Sequence, residues 1–471
     1  MTSNRTLALA LLVFSAATAV ALHRTEPVAA QNDILEHFKY GAVGTEERAG
    51  VPYWIWRVLP KVFADKLPNR PGQGYEKLGF IYEAAGRDRP IGVTYGGGFI
   101  KVAGLNCATC HMGTVRDAPD SPRRIVAGMP ANRMDLQAYA RFLTACAQDP
   151  RFNASTLIDA MAKESDGPGF FDRLTYRLLV IGRTKQGILD RAQENSWFDR
   201  RPPQGPGRVD TFNPYKVLFE FDMTRDDTVG TVELPSLWNQ RMRQGMWLHW
   251  DGNNNSVDER NKSAAIGAGA TPESLDLASL DRVAAWALDL RPPEYPRERI
   301  NATRAELGRA VYTAECSSCH EPDGKAVGQV TPLAEIGTDP ERLRSFTPAL
   351  AERMNTIGEG RPWRFSHFRK TEGYANMPLD GLWLRAPYLH NGSVPTLRAL
   401  LFPEERPAEF YRAFDVYDWA NVGFISSGPD AAREGVAFDT RLKGNTNAGH
   451  TYGSQLTRDQ REDLLEFLKT K

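Results

Sequence analysis

The sequence predicts a mainly α protein with two domains in tandem, long loops and minor β-hairpins. At 471 residues, the chain is long enough for two or three domains of roughly 100–200 residues each. Segments with apolar residues at helical spacing alternate with loops rich in Pro and Gly. The third observation is a pattern of two cysteines and a histidine that occurs once in each half of the chain.

That pattern is Cys107-Ala-Thr-Cys110-His111 and, again, Cys316-Ser-Ser-Cys319-His320. In a C-x-x-C-H motif each cysteine can form a thioether with a haem vinyl group, and the adjoining histidine ligates the iron. A lone copy could also be a redox or zinc pair, but two copies in a chain with five cysteines favour haem. The sequence therefore predicts two covalently bound haem c groups in two cytochrome c-like domains. The remaining cysteine, Cys146, is interpreted as a buried thiol on a helix.

Residues 1–30 are predicted to be a secretory signal peptide. Arg5 precedes an apolar run over residues 7–22, and Val28-Ala29-Ala30 provides a small-residue cleavage site. The run is shorter than the roughly 20 residues of a membrane span, which favours cleavage over anchoring. We expect a periplasmic or secreted protein with no membrane span after cleavage. Basic and acidic residues number 58 each, so net charge gives no argument for nucleic-acid binding.

The first half is expected to begin with a helix over residues 53–67. A hairpin formed by residues 91–95 and 99–102 follows and leads into the first haem motif. Asp135 is predicted to cap a helix that ends at Ala147. Further helices are expected over residues 157–162 and 170–189, and residues 261–270 are expected to be small and flexible.

The second half is separated from the first by a Pro-rich linker over residues 291–296. Before the linker, Thr271 is predicted to cap a helix over residues 275–290. After it, a helix over residues 302–314 runs into Cys316, and a closing helix over residues 457–468 is capped by Thr457. The predicted domains are a signal peptide (1–30), an N-terminal haem domain with insertions (31–295) and a C-terminal cytochrome c-like haem domain (296–471).

An internal repeat follows the two haem motifs. In each half a proline precedes a Leu-Trp pair, Leu237-Trp238 or Leu382-Trp383, and an Asx-Gly turn then follows. The spacings differ, with twelve residues from Trp238 to Trp250 against seven from Trp383 to His390. This pattern suggests two copies of one haem domain.

The sixth iron ligand of the first haem is left open by the sequence. No histidine occurs between His111 and His249, so an open or weakly closed site is favoured, with His249, Trp247 or Trp250 nearby. Other residues that could close the site are His37, Met112, Met129 and Met134. His249 could instead be a histidine satisfied in an aromatic core. Glu259 and Glu273 could assist peroxide cleavage or could be ordinary surface carboxylates.

For the second haem the candidate ligands are His367, His390, His450 and Met377. We predict His450, because its Gly-flanked loop precedes the terminal helix and could fold over the haem. His390 lies in an Asn-Gly turn near Tyr388 and Arg385. His390 and Arg385 are therefore assigned to cofactor binding, with a haem propionate or the backbone as the partner of His390.

The motifs together resemble the bacterial dihaem cytochrome c peroxidase superfamily. The two haem motifs, Trp250-Asp-Gly and Ala386-Pro-Tyr-Leu-His390-Asn-Gly-Ser-Val-Pro-Thr-Leu carry the resemblance over residues 90–470. Leu105-Asn-Cys-Ala-Thr-Cys-His and Asn447-Ala-Gly-His450 are similar to the branch that includes haem-dependent rubber oxygenases. The resemblance implies two mainly helical cytochrome c domains, one reactive haem, and one haem that relays or stores an electron.

Two departures from the conventional peroxidases favour the oxygenase-like branch. The resemblance would place a methionine after the segment at His390 and a distal histidine soon after His111, and this chain has neither. The sequence predicts an exported oxidoreductase that activates dioxygen or peroxide at the first haem and exchanges electrons with a periplasmic donor or acceptor protein. The alternatives are a pure electron-transfer cytochrome, a conventional cytochrome c peroxidase, and a maturase-like enzyme that oxidises tryptophans on a partner.

Overall fold

The computed structural model describes residues 33–84 and 87–471. The predicted signal peptide lies outside the described residues. Helix predominates over strand, in agreement with the predicted mainly α chain. Within the described residues, no helix combines the length and the apolar character that crossing a bilayer requires.

The α-helices fall into two groups on either side of the Pro-rich segment 291–296. In the first half they are Ile34–Tyr40 (α1), Glu46–Ala49 (α2), Tyr53–Val62 (α3), Cys107–His111 (α4), Leu136–Gln148 (α5), Ala154–Ala162 (α6), Phe170–Thr175 (α7), Ile181–Glu194 (α8), Asn213–Leu218 (α9), Val257–Gly267 (α10) and Leu277–Ala287 (α11). In the second half they are Ala302–Glu315 (α12), Ser317–His320 (α13), Leu333–Ile336 (α14), Glu341–Ser345 (α15), Pro348–Met354 (α16), Leu397–Leu401 (α17), Pro429–Glu434 (α18) and Arg458–Leu468 (α19).

The strands are short and pair antiparallel. They are Val51–Pro52 (β1), Val93–Gly96 (β2), Val102–Leu105 (β3), Met112–Val115 (β4), Arg124–Ala127 (β5), Arg208–Asp210 (β6), Thr231–Glu233 (β7), Val330–Pro332 (β8), Gly373–Ala375 (β9), Glu409–Arg412 (β10), Tyr417–Asp418 (β11), Gly423–Phe424 (β12) and Val436–Asp439 (β13). One sheet has the order β1-β3-β2, and the remaining pairs are β4-β5, β6-β7, β8-β9, β10-β13 and β11-β12. The predicted hairpin before the first motif is β2-β3, with Val93 opposite Leu105.

Helix ends follow local capping chemistry in most places. Asp135 accepts a hydrogen bond from the Ala138 amide at 2.8 Å, and Thr457 forms a capping box with Gln460, so both predicted caps are confirmed. The predicted Thr271 cap is wrong: α11 begins at Leu277, and Asp276 accepts from the Ser279 amide at 2.9 Å.

Residues 261–267 belong to helix α10, which corrects the expectation of a flexible stretch. Ser256 caps α10 by accepting from the Glu259 amide at 3.2 Å. The Ser-x-x-Glu spacing from Ser256 to Glu259 is a helix-start signal. The residues that follow are small and lack an apolar periodicity, which masks this signal.

Helices α12 and α19 cross at very close range behind the second haem motif. A β-carbon placed on Gly308 of α12 would lie 2.0 Å from the Asp463 carbonyl oxygen of α19. Tyr312 and Phe467 pack beside the crossing, with ring centroids 5.0 Å apart. The backbone contact requires glycine at 308, and it fixes the end of α12 from which Cys316 emerges.

The two halves share an apolar cluster and several buried ion pairs. Val115, Met129 and Trp238 of the first half pack in the same cluster as Tyr312 and Leu464 of the second. The buried carboxylate of Asp415 accepts from Arg116 at 2.7 Å and from Thr114 at 2.6 Å. The boundary at residue 295 stays a prediction, and contacts across it are extensive.

Candidate haem sites

The first haem motif is the short helix α4, and its start is fixed by Asn106. The Asn106 carboxamide accepts from the Ala108 amide at 2.9 Å and donates to the carbonyls of Phe38 and Gly41. The Nδ1 atom of His111 lies 2.8 Å from the Pro235 carbonyl oxygen. Because a carbonyl can only accept, Nδ1 carries the proton and Nε2 keeps its lone pair for a metal.

The second haem motif repeats this arrangement. His320 ends helix α13, and its Nδ1 atom lies 2.8 Å from the Met377 carbonyl oxygen. Burial lowers the pKa of His320 and lowers that of His111 to about 4, so both imidazoles are neutral at pH 7. The four cysteines of the two motifs form no disulfide. This donor set fits haem c, with Cys107, Cys110, Cys316 and Cys319 as attachment points and two neutral imidazoles as ligands.

His450 faces His320 across a gap of the size that one metal ion takes. Their ring centroids are 6.2 Å apart, with 42° between the ring planes. Since metal–nitrogen bonds are roughly 2 Å long, His320 and His450 would be able to hold one metal ion between them. Burial lowers the pKa of His450 to about 4, so this ring also keeps a lone pair available.

The loop that carries His450 is held in place by backbone contacts. The His450 amide donates to the Ile336 carbonyl at 2.7 Å. Arg406 donates to the carbonyls of Asn447 and Gly449 at 2.6 and 2.8 Å. A β-carbon on Gly449, which has φ +76°, would lie 2.3 Å from the Gly337 carbonyl carbon. The position of His450 therefore depends on a glycine before it and on Arg406.

At the first haem site, the side chains that could serve as a second ligand contact other protein groups. The His249 ring contacts Phe368, with centroids 6.1 Å apart, and its Nδ1 atom contacts the Asn253 carboxamide oxygen at 2.5 Å. Among the described ring contacts, His249 does not pair with His111 as His450 pairs with His320. His37 places Nε2 2.7 Å from the Ser279 hydroxyl. The three methionines, Met112, Met129 and Met134, are 3%, 0% and 2% exposed in apolar clusters.

Arg260, on helix α10, is a half-buried cation whose charge acts on the first haem motif. Burial lowers the pKa of His111 and of His249 to about 4, and the positive charge of Arg260 adds to the lowering at both. Burial, reinforced by the charge of Arg243, lowers the pKa of Arg260 itself to about 10. Its guanidinium contacts the Asn261 carboxamide at 3.3 Å, and it forms no salt bridge with any carboxylate in the described part of the chain. Sequence reasoning missed Arg260, because a single arginine in a helix gives no local signal.

Trp250 connects the two segments that hold the proximal histidines. Its indole nitrogen donates to the Glu233 carbonyl at 2.9 Å, two residues before Pro235. Its own carbonyl accepts from the Ala375 amide at 2.8 Å, two residues before Met377. Trp247, three residues before Trp250, also contacts the second half of the chain. Its amide donates to the Gly328 carbonyl at 2.9 Å, and Arg369 stacks on its ring.

Glu259, His390 and Arg385 are each engaged by protein groups. Glu259 is 4% exposed; it binds Asn254 at 2.9 Å and His367 at 2.6 Å. His390 is buried, stacks on Tyr374 at 4.1 Å and has Nε2 3.1 Å from the Tyr374 hydroxyl. Arg385 pairs with Asp380 at 2.7 Å. Its positive charge adds to the burial that lowers the pKa of His320. The first two sit in hydrogen-bonded clusters of the protein, and Arg385 lies close to the second haem motif.

The internal repeat is also present in the structure, but its equivalent positions are not those of the two Leu-Trp pairs. The carbonyl groups that accept from His111 and His320 belong to Pro235 and Met377. Four residues after each of them, at Asn239 (φ 48°) and Gly381 (φ 65°), the backbone is left-handed. A 3₁₀ turn follows, Gln240–Arg243 or Leu382–Arg385. The closing arginines, Arg243 and Arg385, both pair with Asp380.

Comparison with known proteins gives two family matches in the second half of the chain. A family described as RoxA-like, cytochrome c-like matches residues 373–412. A family described as cytochrome c oxidase, cbb3-type, subunit III matches residues 303–362. Together they support a cytochrome c family and imply haem c, and they suggest an electron-transfer protein or an oxidoreductase.

Two proteins of Sinorhizobium fredii are similar to this chain, and both are described as uncharacterized. The protein y4iM is 32% identical over an alignment of 287 positions, which covers 51% of this chain and 64% of that protein. The protein y4iJ is 24% identical over an alignment of 518 positions, which covers 84% of each chain. The chain thus spans slightly less than two thirds of y4iM.

Proposed function

We propose that this protein is an exported dihaem c-type cytochrome that activates dioxygen or peroxide at the haem held by His111. The haem held by His320 and His450 serves in electron transfer. Haem iron supplies the redox chemistry when it is bound. The chain supplies the axial ligands, excludes water and fixes the separation of the two sites.

The observation that carries the proposal is the difference between the two axial sites. His320 and His450 face each other at 6.2 Å, which suits an iron with two protein ligands. The His249 ring lies against Phe368, and Met112, Met129 and Met134 are packed in the core. An iron with two strong protein ligands mainly passes electrons, whereas an iron with an open position can bind a small molecule.

Trp250 supports communication between the two sites. It hydrogen-bonds at one end to the segment that accepts His111 and at the other end to the segment that accepts His320. The same residue fixes the relative position of both proximal histidines. We therefore assign Trp250, together with the nearby Trp247, to the connection between the two haem sites.

The RoxA-like match over residues 373–412 supports the oxygenase-like branch over the conventional peroxidases. The signal sequence and the haem motifs support export to the periplasm, where an electron donor or acceptor protein would meet the chain. The substrate would enter at the first site, whose surroundings include Phe346, Phe365 and Phe368, the apolar cluster against which Cys107 packs.

The test is ligand binding followed by optical and EPR spectroscopy. We expect cyanide or carbon monoxide to bind one haem of the purified protein while the other stays low-spin. In a His450→Ala variant the second haem should also become high-spin and bind the ligand. His367→Ala is the matched control, because the His367 side chain is 49% exposed and pairs with Glu259.

Three results would decide against the proposal. If neither haem binds a ligand, the protein is a pure electron carrier. If His450→Ala leaves the low-spin signal unchanged, His450 is not the ligand. Accumulation of a stable two-electron-oxidised state on adding peroxide alone would instead favour a maturase-like enzyme.

A further inference from the structure

The helical segment that begins at Phe170 exposes an unusual number of large apolar side chains. Phe170, Phe171, Leu174, Leu178 and Leu179 are exposed by 68%, 80%, 43%, 68% and 54%. They lie on α7 and on the π-helical turn Tyr176–Val180, which continues into α8. Contiguous exposed apolar surface of this kind marks an interaction site.

The apolar residues form one stripe on the outer face of the helix. Phe170, Leu174 and Leu178 follow each other at four-residue spacing, and Phe171 lies three residues from Leu174. Tyr176, on the opposite face, is 3% exposed and packs in the N-terminal core. The helix is therefore apolar on two faces, and only the inner face is covered by the described protein.

Basic side chains accompany this stripe, although the whole chain has a net charge of zero. Between residues 170 and 185 there are four basic residues, Arg173, Arg177, Arg183 and Lys185, against the single acidic residue Asp172. Among the described residues, none of these four forms a salt bridge. An exposed apolar stripe flanked by free arginines has the pattern of a helix that lies in the interface of an anionic bilayer.

We propose that residues 170–185 dock this protein on an anionic phospholipid surface. Phe170, Phe171, Leu174 and Leu178 would enter the headgroup–acyl boundary, and Arg173 and Arg177 would meet lipid phosphates. The inference is independent of the reaction proposed above. It concerns a reversible interfacial contact, since the stripe is far too short to span a bilayer.

The experiment is vesicle flotation of the purified, haem-loaded protein. Vesicles of phosphatidylcholine with phosphatidylglycerol should carry the protein at low salt, and vesicles of pure phosphatidylcholine should carry much less. Adding salt should release it, because the phosphate contacts are screened. A Leu174→Gln/Leu178→Gln variant should lose binding by at least about tenfold, given the apolar area removed from the interface.

The matched controls separate the stripe from general effects. Leu307, on α12, is also 58% exposed but stands outside this segment, and Leu307→Gln should float like the parent protein. Arg173→Gln/Arg177→Gln should lose the preference for phosphatidylglycerol. Unchanged haem absorption and circular dichroism would show that each variant is folded.

Three outcomes would contradict the proposal. Failure of the parent protein to float with anionic vesicles at low salt would overturn the proposal. Unchanged flotation of Leu174→Gln/Leu178→Gln would place the contact elsewhere in the chain. A dimer that forms without vesicles and is lost in this variant would assign the stripe to a second copy.

Discussion

The predicted ligand His450 is positioned by the backbone of its own loop and by Arg406. It has φ +46°, and the glycine before it has φ +76°, so the loop makes two consecutive left-handed steps. Such steps are unfavourable for residues with a β-carbon, and they persist here because Arg406 binds the loop carbonyls. The imidazole is thus delivered to His320 by backbone geometry.

Gly449→Ala should disrupt the second haem site. The left-handed conformation alone costs about 1–2 kcal/mol for a residue with a β-carbon, and the new methyl group would collide with the Gly337 backbone 2.3 Å away. We expect His450 to be displaced and the low-spin EPR signal of this haem to be reduced.

The control for this variant is Gly453→Ala. Gly453 also has φ +77°, but its nearest neighbour is the end of the Leu456 side chain at 3.1 Å. It carries the same conformational cost without the backbone collision. Equal loss of signal in both variants would mean that strain alone, and not the collision, moves His450.

Arg260→Gln should lower the midpoint potential of the first haem. The guanidinium charge acts on His111, and a positive charge favours the reduced form of a nearby iron. A unit charge that acts through an effective ε of about 20 should contribute tens of millivolts, so its loss should lower the potential by a comparable amount. Arg260→Lys keeps the charge and should keep the potential, as measured by spectroelectrochemistry; equal potentials in the two variants would contradict this role.

At the scale of elements, the second haem motif depends on how two helices cross. Helix α12 ends directly before Cys316 and crosses α19, with Gly308 at the point of contact. The apolar residues Leu464, Leu465 and Leu468 of α19 are buried in the shared core. The crossing is therefore part of the haem site, although neither helix supplies a ligand.

Gly308→Ala should destabilise the protein by about 1–3 kcal/mol, the usual cost of overpacking a tight contact. The added carbon would lie 2.0 Å from the Asp463 carbonyl oxygen, so the helices must separate. Urea unfolding, followed by circular dichroism, measures the change.

The comparison for Gly308→Ala is Gly182→Ala in helix α8. No atom lies within 4 Å of the β-carbon position at Gly182, so alanine should stabilise this helix by roughly 0.5–1 kcal/mol. If both substitutions changed the stability in the same direction, close packing at Gly308 would not be the cause.

At the scale of the whole molecule, buried charges join the two halves. Asp415, in the second half, is fully buried and binds Arg116, Arg123 and Thr114 of the first half. Glu233 and Arg412 form a second such pair. Because strand β4 directly follows His111 and leads into Arg116, these pairs fix the first haem motif against the second half.

Asp415→Asn should cost about 3–5 kcal/mol, because it leaves the buried Arg116 guanidinium without this partner. Haem absorption and tryptophan fluorescence should lose their native signals together in urea, since the halves share an apolar cluster and this ion pair. A change below about 0.5 kcal/mol, or two separate transitions in the parent protein, would contradict this coupling.

Acidification should weaken the same junction. Burial alone raises the pKa of Asp415, but the charges of Arg133 and Arg123 and the Thr114 hydrogen bond outweigh it and lower the pKa. Its stabilisation is therefore complete above the unfolded value of about 3.9 and is lost as pH falls through the lower folded value. The unfolding free energy of Asp415→Asn should depend less on pH below about 4; equal slopes would rule out this contribution.

Local signals in the sequence determined the two haem motifs, most helix positions and several caps. Cys107-Ala-Thr-Cys110-His111 and its second copy need only neighbouring residues, and the caps at Asp135 and Thr457 depend on residues three apart. Short-range chemistry of this kind is written directly in the sequence. The prediction of His450 rested on such a loop pattern and remains to be tested by the spectra described above.

Only the tertiary structure decided which distant groups meet. The 6.2 Å gap between His320 and His450, the burial of Met112, Met129 and Met134, and the charge of Arg260 at His111 depend on how helices and loops pack. The structural repeat also depends on distant contacts. The carbonyl groups that accept from His111 and His320 lie 124 and 57 residues away from them in the sequence. Contacts across such separations depend on how whole helices and strands pack against each other, and no local sequence pattern contains that information.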